Sequence, residues 1–148
     1  MIRVRVSTEP IDLAAEMASI ERGGAVATFT GLVRADVVEG QGSVATLELE
    51  HYPGATEAAQ ERLAAEATAR WSLSAASVVH RVGPMHPGER IVFVGTAAEH
   101  RAAALEACAY LIDRLKTHAP FWKKETVGGG TRWVDARGSD DAAAARWD

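Results

Sequence analysis

The sequence predicts an α+β protein: a single domain over residues 1–148, with three helices packed on a mainly antiparallel sheet and a C-terminal hairpin. Three observations lead there. Short stretches such as IRVRVS and VATLELEHY alternate apolar and polar residues, which is the period of a strand. Three longer stretches repeat their apolar residues at helical spacing. The two kinds interleave in the order βαββαββαββ, with no internal repeat and no linker. A chain of 148 residues is long enough for one real core and leaves little room for two.

Taken in order, IRVRVS is the first strand. Ser7 or Thr8 is expected to cap the next helix, with Pro10 in its first turn, where no amide hydrogen is needed. Ile11, Leu13, Ala14, Met17 and Ile20 share one helical face, and Gly23-Gly24 ends the element. GAVATFTGLVR is rich in β-branched and aromatic residues and reads as a strand. ADVVEGQGS is a loop. VATLELEHY follows, with Val44, Thr46, Glu48, Glu50 and Tyr52 on one side and Ala45, Leu47, Leu49 and His51 on the other. These two strands are expected to pair across the loop. An alanine-rich helix over 56–71 comes after Pro53-Gly54. SAASVVHRVG is a strand and PMHPGE a turn. The apolar RIVFVGTAA reads as a central strand. Thr96-Ala97-Ala98-Glu99 matches a capping box, and the helix after it buries Ala104, Cys108, Leu111, Ile112 and Leu115. Pro120 stops that helix, and Ala119 before it should already be extended. FWKKETV and TRWVDA form a hairpin around Gly128-Gly129-Gly130.

Composition narrows the function. The net charge of −4 opposes general nucleic-acid binding, which needs clustered positive charge. No apolar run approaches the roughly 18 residues of a membrane span, and MIRVRVSTEP has no signal-peptide core, so a cytoplasmic protein is expected. Cys108 is the lone cysteine and sits in an apolar helical stretch, where inert packing is expected. The five histidines are scattered and form no metal-ligand pattern; neither a metal nor another cofactor is expected. There is no phosphate-binding glycine motif after a strand and no G-x-S-x-G elbow.

The charge is unevenly placed. Residues 100–124 hold His100, Arg101, Arg114, Lys116, His118, Lys123 and Lys124, a set able to attract a small anion or a carboxylate. All three lysines of the chain lie in LKTHAPFWKKE, whereas thirteen arginines serve elsewhere. Lys116 is in the last helical turn, and its plain reading is a cation complementing the helix dipole. The chemical reading is different. Two crowded, partly buried ammonium groups lower each other's proton affinity, so a lysine becomes a proton carrier or nucleophile near neutral pH. Arginine stays protonated and cannot do this. Lys123 and Lys124 are adjacent on a strand and point to opposite faces, so only one of them can join Lys116. His100-Arg101 opens the long helix, where free backbone N–H groups favour an anion; a solvated first turn is the plainer reading. Arg34, at the end of its strand, reads on its own as a surface charge.

GAVATFTGLVR, LELEHYPG, HRVG…GE, AEHRAAALEAC, LKTHAPFWKKE and RWVDAR together resemble the large, catalytic subunit of molybdopterin synthase, in the same order over roughly residues 10 to 147. The resemblance implies an enzyme that installs two sulfurs as a dithiolene on cyclic pyranopterin monophosphate (precursor Z). Each sulfur arrives as a thiocarboxylate on the C-terminal Gly-Gly of a small ubiquitin-like subunit. Two large subunits form a central dimer with a small subunit at each end. By the same resemblance, Lys116 and Lys123 match the active-site lysines. Arg34, His100 and Arg101 match the substrate-anion pocket, with the backbone of Leu32 and Val33 leading into it. Lys124 and Glu125 continue the substrate-contacting stretch, and Arg137 matches an arginine offered by the neighbouring protomer. Two other readings compete. One is a non-catalytic dimeric binding module for a pterin phosphate or an anionic peptide tail. The other is a single-stranded nucleic-acid binder that stacks bases on Phe29, Tyr52 and Trp122; the acidic charge opposes it.

Overall fold

The elements run β1 (Ile2–Ser7), α1 (Leu13–Ser19), β2 (Ala25–Leu32), β3 (Val37–Val38), β4 (Gly42–His51), α2 (Ala55–Trp71), β5 (Ala75–Arg81), β6 (Gly83–Met85), β7 (Arg90–Ala98), α3 (Arg101–His118), β8 (Phe121–Val127), β9 (Gly130–Val134) and α4 (Gly138–Ala145). This computed structural model describes residues 1–35, 37–38, 42–118, 121–127, 130–134 and 138–148. The side chains of residues 37, 38, 42–44, 122, 132, 134 and 138–140 are not among those described.

The expected α+β class holds, but the strands divide between two sheets. One has the order β1-β5-β7-β2, with β1 parallel to β5 and the other pairs antiparallel. The other has the order β3-β4-β8-β9, with β6 also on β4. The apolar β7 is central in its sheet, as its composition predicts, and the β8–β9 hairpin forms with Val127 opposite Gly130. β2 and β4 do not pair with each other. β2 takes β7, and β4 takes β3, β6 and β8, because the chain between β2 and β4 folds back as β3 onto β4 itself.

Three apolar clusters hold these layers. Small residues on α2 and α3 (Ala64, Ala67, Ala104, Ala107) let both helices approach Ala76, Val78 and Val94 of the first sheet closely. On the sheet's other face Ile20, Ile11 and Phe93 pack together. Gly95 leaves room for that packing: a Cβ would lie 2.3 Å from Ile20 Cδ1 and push the side chain aside. The third cluster joins the two sheets through Val33, Leu47, Leu49, Val82 and Met85, with Phe121 against it.

Several local expectations give way to tertiary contacts. The cap of α1 is Asp12, whose carboxylate accepts from Ala15 N–H at 3.2 Å, so Pro10 precedes the helix. Met17 is exposed, whereas Glu16 is buried and meets Arg3 at 2.8 Å. Thr96 is no helix cap: it is buried on β7, and its hydroxyl donates to the Ala104 carbonyl at 2.6 Å. The tail predicted only as acidic forms a fourth helix, α4. Trp147 just after it sits edge-on to Trp71 and Tyr110, 5.7 and 5.8 Å away, and donates to Asp113 at 2.7 Å. Eight residues are too few to show a helical pattern, and that helix depends on the aromatic anchor beyond it. Ala119, Pro120, Gly128 and Gly129 lie outside the described residues.

Candidate active site at the end of α3

Helix α3 packs inward at Leu111 and Leu115, which leaves Lys116 on its last turn, exposed at the helix rim. β8 then runs antiparallel to β4, with His51 opposite Phe121, Leu49 opposite Lys123, Glu48 opposite Lys124 and Leu47 opposite Glu125. Strand alternation therefore puts Phe121, Lys123 and Glu125 on the face of buried Leu47 and Leu49. Lys124 takes the outer face, where its Nζ lies 5.5 Å from the Trp133 ring centre. Of the two neighbouring lysines it is Lys123, itself exposed, that shares the face of Phe121, Leu47 and Leu49, and Lys124 does not.

Beneath these groups lies His80, near the end of β5. Its side chain is buried, at 8% exposure, and its ring stacks on Phe121 with centroids 4.1 Å apart. Its Nδ1 donates to the Arg81 carbonyl at 2.9 Å. Burial pushes the imidazole pKa down to about 4, against the hydrogen bond to Arg81; the positive charges of Lys123, Lys116 and His51 lower it further. Lys116 and Lys123, from two different elements, thus act on one buried ring. His51, on the same face as Phe121, has its Nε2 3.2 Å from Glu57 Oε1, and Glu57 also accepts from the Gly54 N–H. Sequence reading passed over both histidines as scattered. The usable signal was the clean alternation of LELEHY, which already set His51 on the face of Leu47 and Leu49.

The strand leading to Arg34 reaches the same region from another side. Leu32 ends β2 and is exposed, Val33 is buried with Leu49 in the inter-sheet cluster, and Arg34 emerges exposed at its rim. The HPGE turn clamps this segment. Val33 N–H donates to the Glu89 carbonyl at 2.9 Å, and Gly88 N–H donates to the Val33 carbonyl at 2.8 Å. Gly88 has φ +93°, a conformation that glycine adopts without strain. The Glu89 carboxylate holds the turn by accepting from His86 N–H at 2.6 Å and from Arg81 at 3.2 Å, and these bonds lower its pKa.

His100 and Arg101 stand elsewhere. They are exposed at the start of α3, with the His100 side chain 83% exposed. From Arg101 to Lys116 the helix rises about 22 Å. Within one chain these residues cannot share a site with the lysines, so residues 100–124 do not make one pocket. Arg137 lies outside the described residues. Among the described residues no group of three or more His, Cys, Asp or Glu is placed to hold a metal ion, and no helix is long and apolar enough to cross a membrane.

Residues 6–118 match the family model described as MoaE protein. The molybdopterin synthase catalytic subunit of Yersinia pestis is 49% identical over 98% of this chain and 97% of its own length. The molybdopterin biosynthesis MoaE protein of Burkholderia ambifaria has a similar structure, with a TM-score of 0.84 and 50% identity over 99% of this chain and 98% of that one. A molybdopterin synthase structure from Staphylococcus aureus aligns with a TM-score of 0.81 and 31% identity, covering 88% of this chain and 95% of that one. With the family model spanning most of its length and near-full-length relatives at about half identity, this chain belongs to the MoaE family.

Proposed function

We propose that this protein is the catalytic subunit of a molybdopterin synthase, transferring sulfur from the thiocarboxylated tail of a small ubiquitin-like subunit to precursor Z. The observation that carries the reading is the placement of Lys116, in the last turn of α3, and Lys123, on the Phe121 face of β8, where the positive charge of each acts on the buried His80 ring. The chemistry needs mobile protons. The thiocarboxylate sulfur attacks a side-chain carbon of the pterin and forms a C–S bond, and the displaced oxygen leaves once it has gained a proton. Water then cleaves the acyl–sulfur bond and returns the tail as a carboxylate. Lys116 serves as the principal acid and base, and Lys123 orients the substrate and polarises the tail. Arginine at either place would supply charge without proton transfer.

Arg34 supplies a planar fork for the substrate phosphate. His100 and Arg101 join that anion site in a homodimer that sets the α3 start of one copy against the lysine end of the other. This would reconcile their distance from Lys116, and Arg137 crosses between copies in the same way. The backbone of Leu32 and Val33 leads into the tail's approach, and Glu125, on the face of Lys123, extends the contact along β8, whereas Lys124 on the outer face takes no part in it. The assembly is a heterotetramer working in the cytoplasm.

The direct test mixes purified protein with thiocarboxylated small subunit and precursor Z and measures dithiolene. Lys116→Ala should abolish product while leaving the dimer intact, and near-normal turnover would remove the lysine from the mechanism. Lys116→Arg separates the enzyme from a passive binding module: the module tolerates it, and the enzyme does not.

A further inference from the structure

The hydrolytic half of the proposed reaction lacks a proton acceptor of its own. Lys123 polarises the tail, so the acceptor belongs on the sheet face that Lys123 shares. In the β4–β8 ladder Lys123 stands opposite Leu49, and one step along the same face His51 stands opposite Phe121. Diagonal neighbours on one face of an antiparallel pair are about 7–8 Å apart, a gap that a substrate held by Lys123 spans. Glu125, one step the other way, is buried at 9% and has an interaction of its own. The His51 side chain is 21% exposed, open enough to meet water. The corner between β4 and α2 fixes its ring. Thr56 Oγ1 accepts from Tyr52 N–H at 3.1 Å, and Thr56 N–H donates to the Tyr52 carbonyl at 2.9 Å. Glu57, the next residue, uses Oε2 to accept from Gly54 N–H. Its Oε1 is buried, has no hydrogen-bond donor among the described residues, and lies 3.2 Å from His51 Nε2. A carboxylate oxygen cut off from water calls for a donor, and a small turn of the ring brings Nε2–H into line. The neutral imidazole thus carries its proton on Nε2 and keeps a lone pair on Nδ1, which has no hydrogen-bond partner among the described residues.

We propose that His51, oriented by Glu57, is the base for the water that cleaves the acyl–sulfur bond. The inference rests on the sulfur-transfer reading. As the water oxygen bonds to the acyl carbon, Nδ1 takes one of its protons. The tetrahedral adduct then collapses. The C–S bond breaks, its electron pair goes to sulfur, and the imidazolium returns the proton to that sulfur as the substrate thiol forms. The tail leaves as a carboxylic acid that ionises in solvent. The ring ends neutral and is ready for the second sulfur. Glu57 holds the imidazole in the tautomer that accepts at Nδ1 and offsets the imidazolium charge in the interval. An arginine at position 51 would tie β4 to α2 by a salt bridge, but it stays protonated; imidazole adds an acceptor on the Lys123 face.

The test follows His51→Gln in the complete dithiolene assay, with the small subunit monitored by mass spectrometry through a single turnover. The glutamine amide keeps a donor toward Glu57 and removes the base. Sulfur should still reach the substrate, but the thioester adduct that joins the small-subunit tail to it should accumulate. The kcat for dithiolene should fall by about a hundredfold or more, the scale of a lost general base, with KM nearly unchanged. Added hydroxylamine should cleave the adduct and leave a hydroxamate on the tail. Wild-type kcat without adduct overturns the proposal, and so does a folded variant that forms neither adduct nor product. Glu57→Gln should give a weaker form of the same block; a variant that melts earlier with normal kcat marks the pair as a staple and overturns the orienting role. Nitrogen-15 NMR of the wild-type protein gives a measurement that needs no variant. The neutral His51 ring should carry its proton on Nε2, and a proton on Nδ1 overturns the proposal. A normal His51→Gln beside a dead Lys116→Ala refutes only the role of His51. An active Lys116→Ala refutes the sulfur-transfer reading itself.

Discussion

A buried neutral histidine makes stability depend on pH in a way that a single variant can isolate. His80 has its pKa lowered from 6.5 to about 4 in the folded protein. Between those values the unfolded chain binds a proton that the folded chain refuses, so folding loses ground as pH falls from about 6.5 to about 4 and then levels off. Above pH 6.5 the ring is neutral in both states and contributes nothing to the slope. The depression corresponds to ~3 kcal/mol across the window. Other groups titrate there too, but they do so equally in His80→Phe. Urea unfolding followed by circular dichroism at pH 7 and at pH 4.5, with unchanged m-values, gives the comparison. Wild type should lose ~2–3 kcal/mol more than His80→Phe between the two pH values. Parallel losses in the two proteins would show that the imidazole takes up its proton in the folded state at an ordinary pH, and that burial does not keep it neutral.

Two further outcomes follow from the packing. Thr96→Val removes the hydroxyl that ties β7 to α3 and should cost about 1–2 kcal/mol, whereas Glu99→Ala, at an exposed side chain, should stay within about 0.5 kcal/mol; a capping box would make both substitutions costly, and chemical denaturation of the two variants tells these apart. Burial pushes the Cys108 thiol up to about 11, so at pH 8 only about one molecule in a thousand carries a thiolate. A disulfide reagent should leave the native protein unlabelled for hours and label it in denaturant at once, and stoichiometric native labelling within minutes would contradict this.

Much of the site was legible because it is local. Alternation across FWKKETV separates Lys123 from Lys124, and apolar spacing on α3 places Lys116 at the edge of the buried face. The HPGE turn was also readable from Pro87 and Gly88, though not its purpose of clamping Val33. His80 was not legible. Its burial and stacking depend on Phe121, forty-one residues later in the chain, folding onto β5, and no spacing rule encodes that stack. The misread cap at Thr96 has the same origin. The local pattern fits a capping box, but the residue lies on a central strand, and burial of its hydroxyl against Ala104 outweighs a cap worth about 1 kcal/mol.

The amino-acid sequence by itself determined the α+β class, the order of most elements and the inward face of α3, since these follow from periodicities of two and of about 3.6 residues, and it showed the confinement of lysine to one segment directly. Only the tertiary structure decided that the strands divide into two sheets, that Phe121 covers the buried ring of His80, and that His100 and Arg101 stand a helix length away from Lys116. Strand partners are chosen by burying apolar faces shared between distant segments, and that choice is a property of the whole chain.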